Sequence, residues 1–315
     1  MSHDHAHSVF EPPTGGKIES RFVLALALTG LILVAEVVGG LWTGSLALLS
    51  DAAHVFMDMF ALALSYGAIR LAALPASDRH TYGFHRMKVI AAFINGATLL
   101  LIAFEIFREA WTRFQNPEPI LAGPMLVVAV IGLIVNLVVV FVLSGHDHED
   151  LNTRAAFLHV LGDTLSSVGV IVAGAVILFT GWLWVDPLVS VMIALVILSG
   201  AGRVLKQTIH ILNEGAPEGV DVTGLGQAMR QVSGVAEVHD LHVWTVSPGY
   251  VALSAHVVLA DQALSQTHPI MNELKEIIAH QAGIEHTTIQ FECRNCGQGP
   301  VVCLDETAEA TVALS

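Results

Sequence analysis

The chain has 315 residues, of which 54% are hydrophobic and only 13% charged. Soluble domains carry about 25% charged residues. The composition therefore excludes an ordinary soluble enzyme and a disordered chain, and points to a membrane protein with a modest water-soluble part. The net charge of −14 excludes a nucleic-acid binder, which needs a basic face, and leaves cations as clients.

There are 16 His, many for so apolar a chain, and three Cys near the C-terminus, Cys293, Cys296 and Cys303. That Cys usage does not suggest a disulfide scaffold. Residues 1–20 are polar, with His3, His5 and His7 at period two. No apolar run precedes the first span, so no cleavable signal peptide is expected, and that span would act as its own insertion signal.

A helix that crosses a bilayer needs about 20 mostly apolar residues. Six stretches qualify: Phe22–Thr43, Ser45–Leu74, Val89–Phe107, Pro124–Leu143, Ala155–Thr180 and Pro187–Leu205. Six spans put both termini on one side. That side collects Lys17, Arg21, Arg70, Arg79, Arg86, Lys88, Arg154, Arg203 and Lys206, against Arg108 and Arg113 on the other. Positive charge stays inside, so both termini are expected in the cytoplasm. Trp42, Trp111, Trp182 and Trp184 fall at the outward ends, like one half of an aromatic belt.

After Lys206 the composition changes. From Gln207 to Ser315 there are 13 acids, three bases and seven His. Asp221–Val232 and Ala263–Ala282 read as helices. Glu237–Val246, Val251–Leu259 and His286–Glu292 read as strands, the first two joined at the Pro248-Gly249 turn. The order α-β-β-α-β predicts a small α+β domain with helices on one sheet face. The chain divides into an N-terminal tail (1–20), a six-helix membrane bundle (21–206), a soluble domain (207–293) and a loose C-terminal tail (294–315).

The chemistry is concentrated in two impure spans. The second contains His54-x-x-x-Asp58 and the fifth His159-x-x-x-Asp163. Positions i and i+4 lie on one helix face, so each helix offers one imidazole and one carboxylate at one point. Two such helices supply two nitrogens and two oxygens, a tetrahedral set suited to Zn²⁺ and tolerant of neighbouring divalent metals. An ionised Asp at the bilayer centre costs at least about 2.5–3.5 kcal/mol. A shared divalent cation offsets that cost. The plainer reading is a pair of intrahelical His–Asp hydrogen bonds, and the exact repetition weighs against it.

Asp51, three residues before His54, is open to two readings: an outer ligand or part of the ion path, or an edge residue in contact with water. Glu36 and Asn136 are further polar groups within spans, with helix–helix hydrogen bonds as the expected role. Cys293-Arg-Asn-Cys296 is a C-x-x-C that either binds metal or presents inert thiols. His146-Asp-His-Glu-Asp150 and the N-terminal His residues either gather metal or are plain hydrophilic segments.

Three passages carry a resemblance: Ser45-Leu-Ala-Leu-Leu-Ser-Asp-Ala-Ala-His54-x-x-x-Asp58, Phe157-Leu-His159-Val-Leu-Gly-Asp163-x-x-Ser-Ser-Val-Gly169, and His239-Asp-Leu-His242-Val-Trp244. Together they resemble the cation diffusion facilitator family, in its bacterial zinc-efflux branch, over roughly residues 20–293. The resemblance implies a homodimer in the inner (plasma) membrane that exports Zn²⁺ from the cytoplasm in exchange for protons, with Cd²⁺ or Co²⁺ as further cargo. It implies that His54, Asp58, His159 and Asp163 form the transport site.

It also implies that the soluble domain is ferredoxin-like, cytoplasmic, dimerising and metal-binding. There His239 and His256 match ligands and His268 an accessory His. Glu292 stands where relatives have Asp, and Gln290 where they have His. In the loop after the second span His80 matches a ligand, while Phe84 replaces a second His. The acidic, His-bearing soluble domain makes zinc a regulatory ligand as well as cargo. A membrane-embedded zinc enzyme is disfavoured because no His-Glu-x-x-His occurs. A zinc sensor without transport is the alternative, and a passive channel a third reading.

Overall fold

Six long helices come first in the computed structural model of the chain. It describes residues 16–143 and 151–294, and the side chains of 26–139, 164 and 166–294. The helices are α1 (Gly16–Thr43), α2 (Leu46–Ala72), α3 (Met87–Gln115), α4 (Ala122–Leu143), α5 (Leu151–Thr180) and α6 (Val185–Leu212). Among the described residues, five of them, all but α5, are long and apolar enough to cross a membrane. The described part of α5, Ser166–Thr180, is a shorter apolar helix. α3 and α6 run beyond the predicted spans. On α3 the ion pairs Glu105–Arg108 (2.8 Å) and Glu109–Arg113 (3.1 Å), at helical spacing, carry the helix past its apolar stretch.

The bundle core uses small residues at its contacts: Ala47 on α2, Ala103 on α3, Ala129 on α4, Ala173 on α5 and Ala194 on α6, with Met125 between them. Without a hydrophobic drive between helices in lipid, close backbone approach supplies the packing. The seam of α1 and α4 shows this most clearly. A Cβ on Gly39 would lie 2.9 Å from the Val128 side chain, and one on Gly132 would lie 2.9 Å from Glu36 Oε1. Leu31, Leu41, Phe104 and Phe179 point outward and are exposed, as lipid-facing side chains are.

The start of α2 is fixed by α6. Ser45 caps α2 by accepting from the Leu48 N–H (3.2 Å). The buried Asp186 carboxylate accepts from Ser45 Oγ (2.6 Å) and from the N–H groups of Leu46 (2.8 Å) and Ala47 (3.2 Å). A carboxylate at a helix N-terminus satisfies free donors and suits the helix dipole. Arg113 stands 3.9 Å from the same carboxylate and donates to the Gly44 carbonyl.

A second compact unit takes in Leu64–Ile94 and the residues after Gly202. Its C-terminal part comprises α7 (Val222–Arg230), β1 (Val235–Ser247), β2 (Tyr250–Leu259), α8 (His268–Ala282) and β3 (His286–Glu292), the predicted α-β-β-α-β order. β2 is central, antiparallel to β1 and parallel to β3. Pro248 and Gly249 (φ 79°) make the tight turn between β1 and β2, where glycine accommodates the positive φ. Asp221 caps α7 by accepting from Gly224 N–H. α8 starts later than predicted because Pro269 belongs in a first turn, where its missing N–H costs nothing.

Leu253, Ala255 and Val257 of β2 meet Met229, Leu274 and Ile278 in the core beneath the two helices. The alternation of a strand then sends His256 to the opposite face. In the same unit the loop between α2 and α3 meets the hairpin. The Tyr82 and His85 rings lie 6.5 and 5.1 Å from Tyr250, and Arg86 pairs with Glu214 at 3.1 Å. Burial, with Tyr82 beside it, pushes the Tyr250 hydroxyl above the usual tyrosine range.

Candidate metal sites

α2 presents His54 and Asp58 on one face, as the four-residue spacing predicts. Nε2 of His54 lies 3.8 Å from Oδ2 of Asp58, and both side chains are largely covered, at 20% and 25% exposure. The second pair, His159 and Asp163, falls within the helix α5, but their side chains lie outside the described residues.

Asp51 does not sit at a wet edge. It is 2% exposed and accepts hydrogen bonds from Ser166 Oγ and from Ser167 Oγ (3.3 Å) on α5. Asn136 of α4 donates to the same Ser167 hydroxyl at 3.2 Å. Asn136 thus makes the expected helix–helix hydrogen bond, and a polar seam joins α2, α4 and α5 beside the His54–Asp58 pair. Ser166 and Ser167 belong to the Ser-Ser of the second matching passage, but their partner was not legible from spacing.

The C-terminal unit assembles a separate cluster on the sheet face away from the helices. His239 of β1 pairs directly across the ladder with His256 of β2, and their rings stand edge to face at 5.3 Å. Glu292, last in β3, reaches both: its carboxylate lies 2.9 Å from His256 Nδ1 and 3.5 Å from His239 Nε2. One ligand atom from each residue lies within 4.8 Å of the others. Two imidazole nitrogens and a carboxylate oxygen at such separations fit a divalent cation of the zinc type. Among the described residues this is the one group of three or more His, Cys, Asp or Glu so arranged. Gln290 donates its amide to Glu292 Oε1 at 2.8 Å, so it supports the carboxylate.

A bundle with a His-x-x-x-Asp pair inside it, followed by this sheet, is matched by two family models. One is the cation efflux transmembrane domain, over residues 22–213, and the other the cation efflux protein cytoplasmic domain, over residues 217–293. The chain belongs to the cation efflux family. It is accordingly a multi-pass membrane transporter and not an enzyme, and residues 217–293 are its cytoplasmic domain.

Relatives of this cation efflux protein match nearly end to end. It is 42% identical to the metal cation efflux system protein CzcD of Cupriavidus metallidurans, over 94% of this chain and 91% of that one. It is 39% identical to the cadmium, cobalt and zinc/H⁺-K⁺ antiporter of Bacillus subtilis, over 93% and 92%. It is 38% identical to the zinc transporter ZitB of Pectobacterium atrosepticum, over 94% and 90%.

Among the described residues, the other expected ligands His268, His80 and Cys293 are not part of the His239–His256–Glu292 cluster. His268 opens α8 as an exposed residue and stands apart from the cluster. His80 is exposed in the loop after α2, its ring tilted against Phe84 at 4.4 Å. Cys293 directly follows Glu292 but is exposed, 3.8 Å from Asp261 Oδ1, while Cys296 lies outside the described residues.

Proposed function

We propose that this cation efflux protein exports Zn²⁺, with Cd²⁺ or Co²⁺ as further cargo, from the cytoplasm in exchange for protons. His54, Asp58, His159 and Asp163 form the transport site. The protein works as a homodimer in the plasma (inner) membrane, with both termini in the cytoplasm. The names of the relatives, among them a cadmium, cobalt and zinc/H⁺-K⁺ antiporter and a zinc transporter, favour this cargo and antiport.

The observation that carries the reading is the Asp51–Ser166 hydrogen bond beside the His54–Asp58 pair. Consecutive spans alternate in direction, so α2 and α5 run antiparallel. Counting from that bond, three residues along α2 reach His54, and three back along α5 reach Asp163. Four more reach Asp58 and His159. That count supports the reading that the two motifs lie at matching heights on α2 and α5.

Metal ligands bind in their deprotonated form, so zinc entering from the cytoplasm releases protons from His54 and His159. Protons returning from outside weaken the site and let zinc leave. Imidazole suits this exchange because its ordinary pKa is about 6.5. Zinc at His239, His256 and Glu292 regulates transport.

Uptake of ⁶⁵Zn into proteoliposomes, with and without a pH gradient, tests the proposal. Wild type should take up zinc only with the gradient, and Asp163→Ala and Asp58→Ala should not transport at all. Flux without the gradient would favour a channel. Absence of flux in wild-type protein that still binds zinc would favour a sensor.

A further inference from the structure

The cytoplasmic cluster has an outer side that its ligand atoms do not use. Asp240, directly after His239, adopts φ 49°, a left-handed conformation that Asp, Asn and Gly tolerate far better than other residues. It sits where the β1–β2 register shifts between His239 and His242. A bulge of this kind re-aims a side chain. Here it turns the Asp240 carboxylate to two imidazoles: Oδ1 lies 2.9 Å from His242 Nε2, and Oδ2 lies 3.7 Å from His256 Nε2. His256 therefore stands between two carboxylates, Glu292 at Nδ1 and Asp240 at Nε2.

A neutral imidazole carries one proton on one of its two nitrogens. Nδ1 can bind a cation only when the proton is on Nε2. A carboxylate beside Nε2 favours that tautomer, and metal-bound His residues regularly have such a partner on the far nitrogen. We propose that Asp240 is a positioning residue for the cytoplasmic metal site: when a cation takes the place of the Nδ1 proton that faces Glu292, the Asp240 carboxylate 3.7 Å from Nε2 favours the Nε2–H form and so Nδ1 as the ligand. His242, exposed on the outer side, steadies the Asp240 carboxylate in turn. The inference rests on the reading of His239, His256 and Glu292 as metal ligands. It goes beyond that reading by assigning a role to a residue that is not itself one of the three ligands.

The test titrates zinc into the full-length, metal-free protein in detergent against a chromophoric chelator. The cytoplasmic site is the binding component that His239→Ala removes. Asp240→Gly suits the backbone and lacks the carboxylate. It should weaken that component about 10–100-fold. Asp240→Asn keeps a neutral acceptor and should fall between Gly and wild type. The metal-free melting temperature should be unchanged or higher in Asp240→Gly, because glycine relieves the left-handed backbone. Affinity within twofold of wild type in Asp240→Gly would overturn the proposal. So would a metal-free melting temperature that falls along with affinity, since Asp240 would then serve the fold. If His239→Ala removes no component, the metal site and its outer shell fall together. A component that needs His239 but ignores Asp240 overturns the outer shell alone.

Discussion

Gln290 stands two residues before Glu292 on β3, and its amide turns to that carboxylate. An amide is a poor match for zinc beside imidazole and carboxylate. As a donor it fixes which Glu292 oxygen faces His239. Gln290→Leu should therefore weaken zinc binding about 10-fold without abolishing it, read by the same chelator competition. Gln290→His should strengthen binding by adding a nitrogen ligand at the position paired with His256. His239 and His256 entered as candidate ligands only through the family resemblance, since spacing alone does not say which residues of β1 and β2 face each other. Asp240 was not legible, because its direction depends on a bulge that no local pattern announces. The direction of His268 was not legible for a similar reason, since the resemblance says nothing of how the first turn of α8 points.

Helices were the easiest elements to read, since each needs a long apolar run to cross the bilayer. Their ends were harder, because ion pairs such as Glu109–Arg113 continue a helix after its hydrophobicity stops. The anchoring of α2 by Asp186 was hidden as well, because Ser45 and Asp186 are 141 residues apart. Asp186→Ala removes three acceptor contacts at the α2 N-terminus and should destabilise the bundle by about 2 kcal/mol. A lowered melting temperature of the detergent-solubilised protein would show it. Gly39→Leu drives a side chain into Val128 on α4. Overpacking of that kind costs about 1–3 kcal/mol. The same melt should detect it, and Val128→Ala should recover part of the loss.

At the scale of the whole chain, charge and composition set the division of labour. Among the described residues, Asp51 and Asn136 of the membrane helices are joined through the Ser167 hydroxyl. The proposed orientation has a direct check. In a background without the native cysteines, Ser77→Cys should react with a membrane-impermeant thiol reagent only in inside-out vesicles. Gly181→Cys should react only in right-side-out vesicles. The reverse pattern would refute the cytoplasmic placement of both termini.

The sheet order also has a consequence for how the cytoplasmic domain assembles. β1 and β2 are joined by a tight turn and pair antiparallel, so that hairpin closes locally and early. β3 is parallel to β2 and can dock only after the crossover through α8 has formed. Glu292 is the final residue of β3. During synthesis, the hairpin holding both imidazoles therefore exists for a time without its carboxylate. Two nitrogens alone make a weak trap for zinc, so the nascent chain captures metal poorly until its last strand is in place.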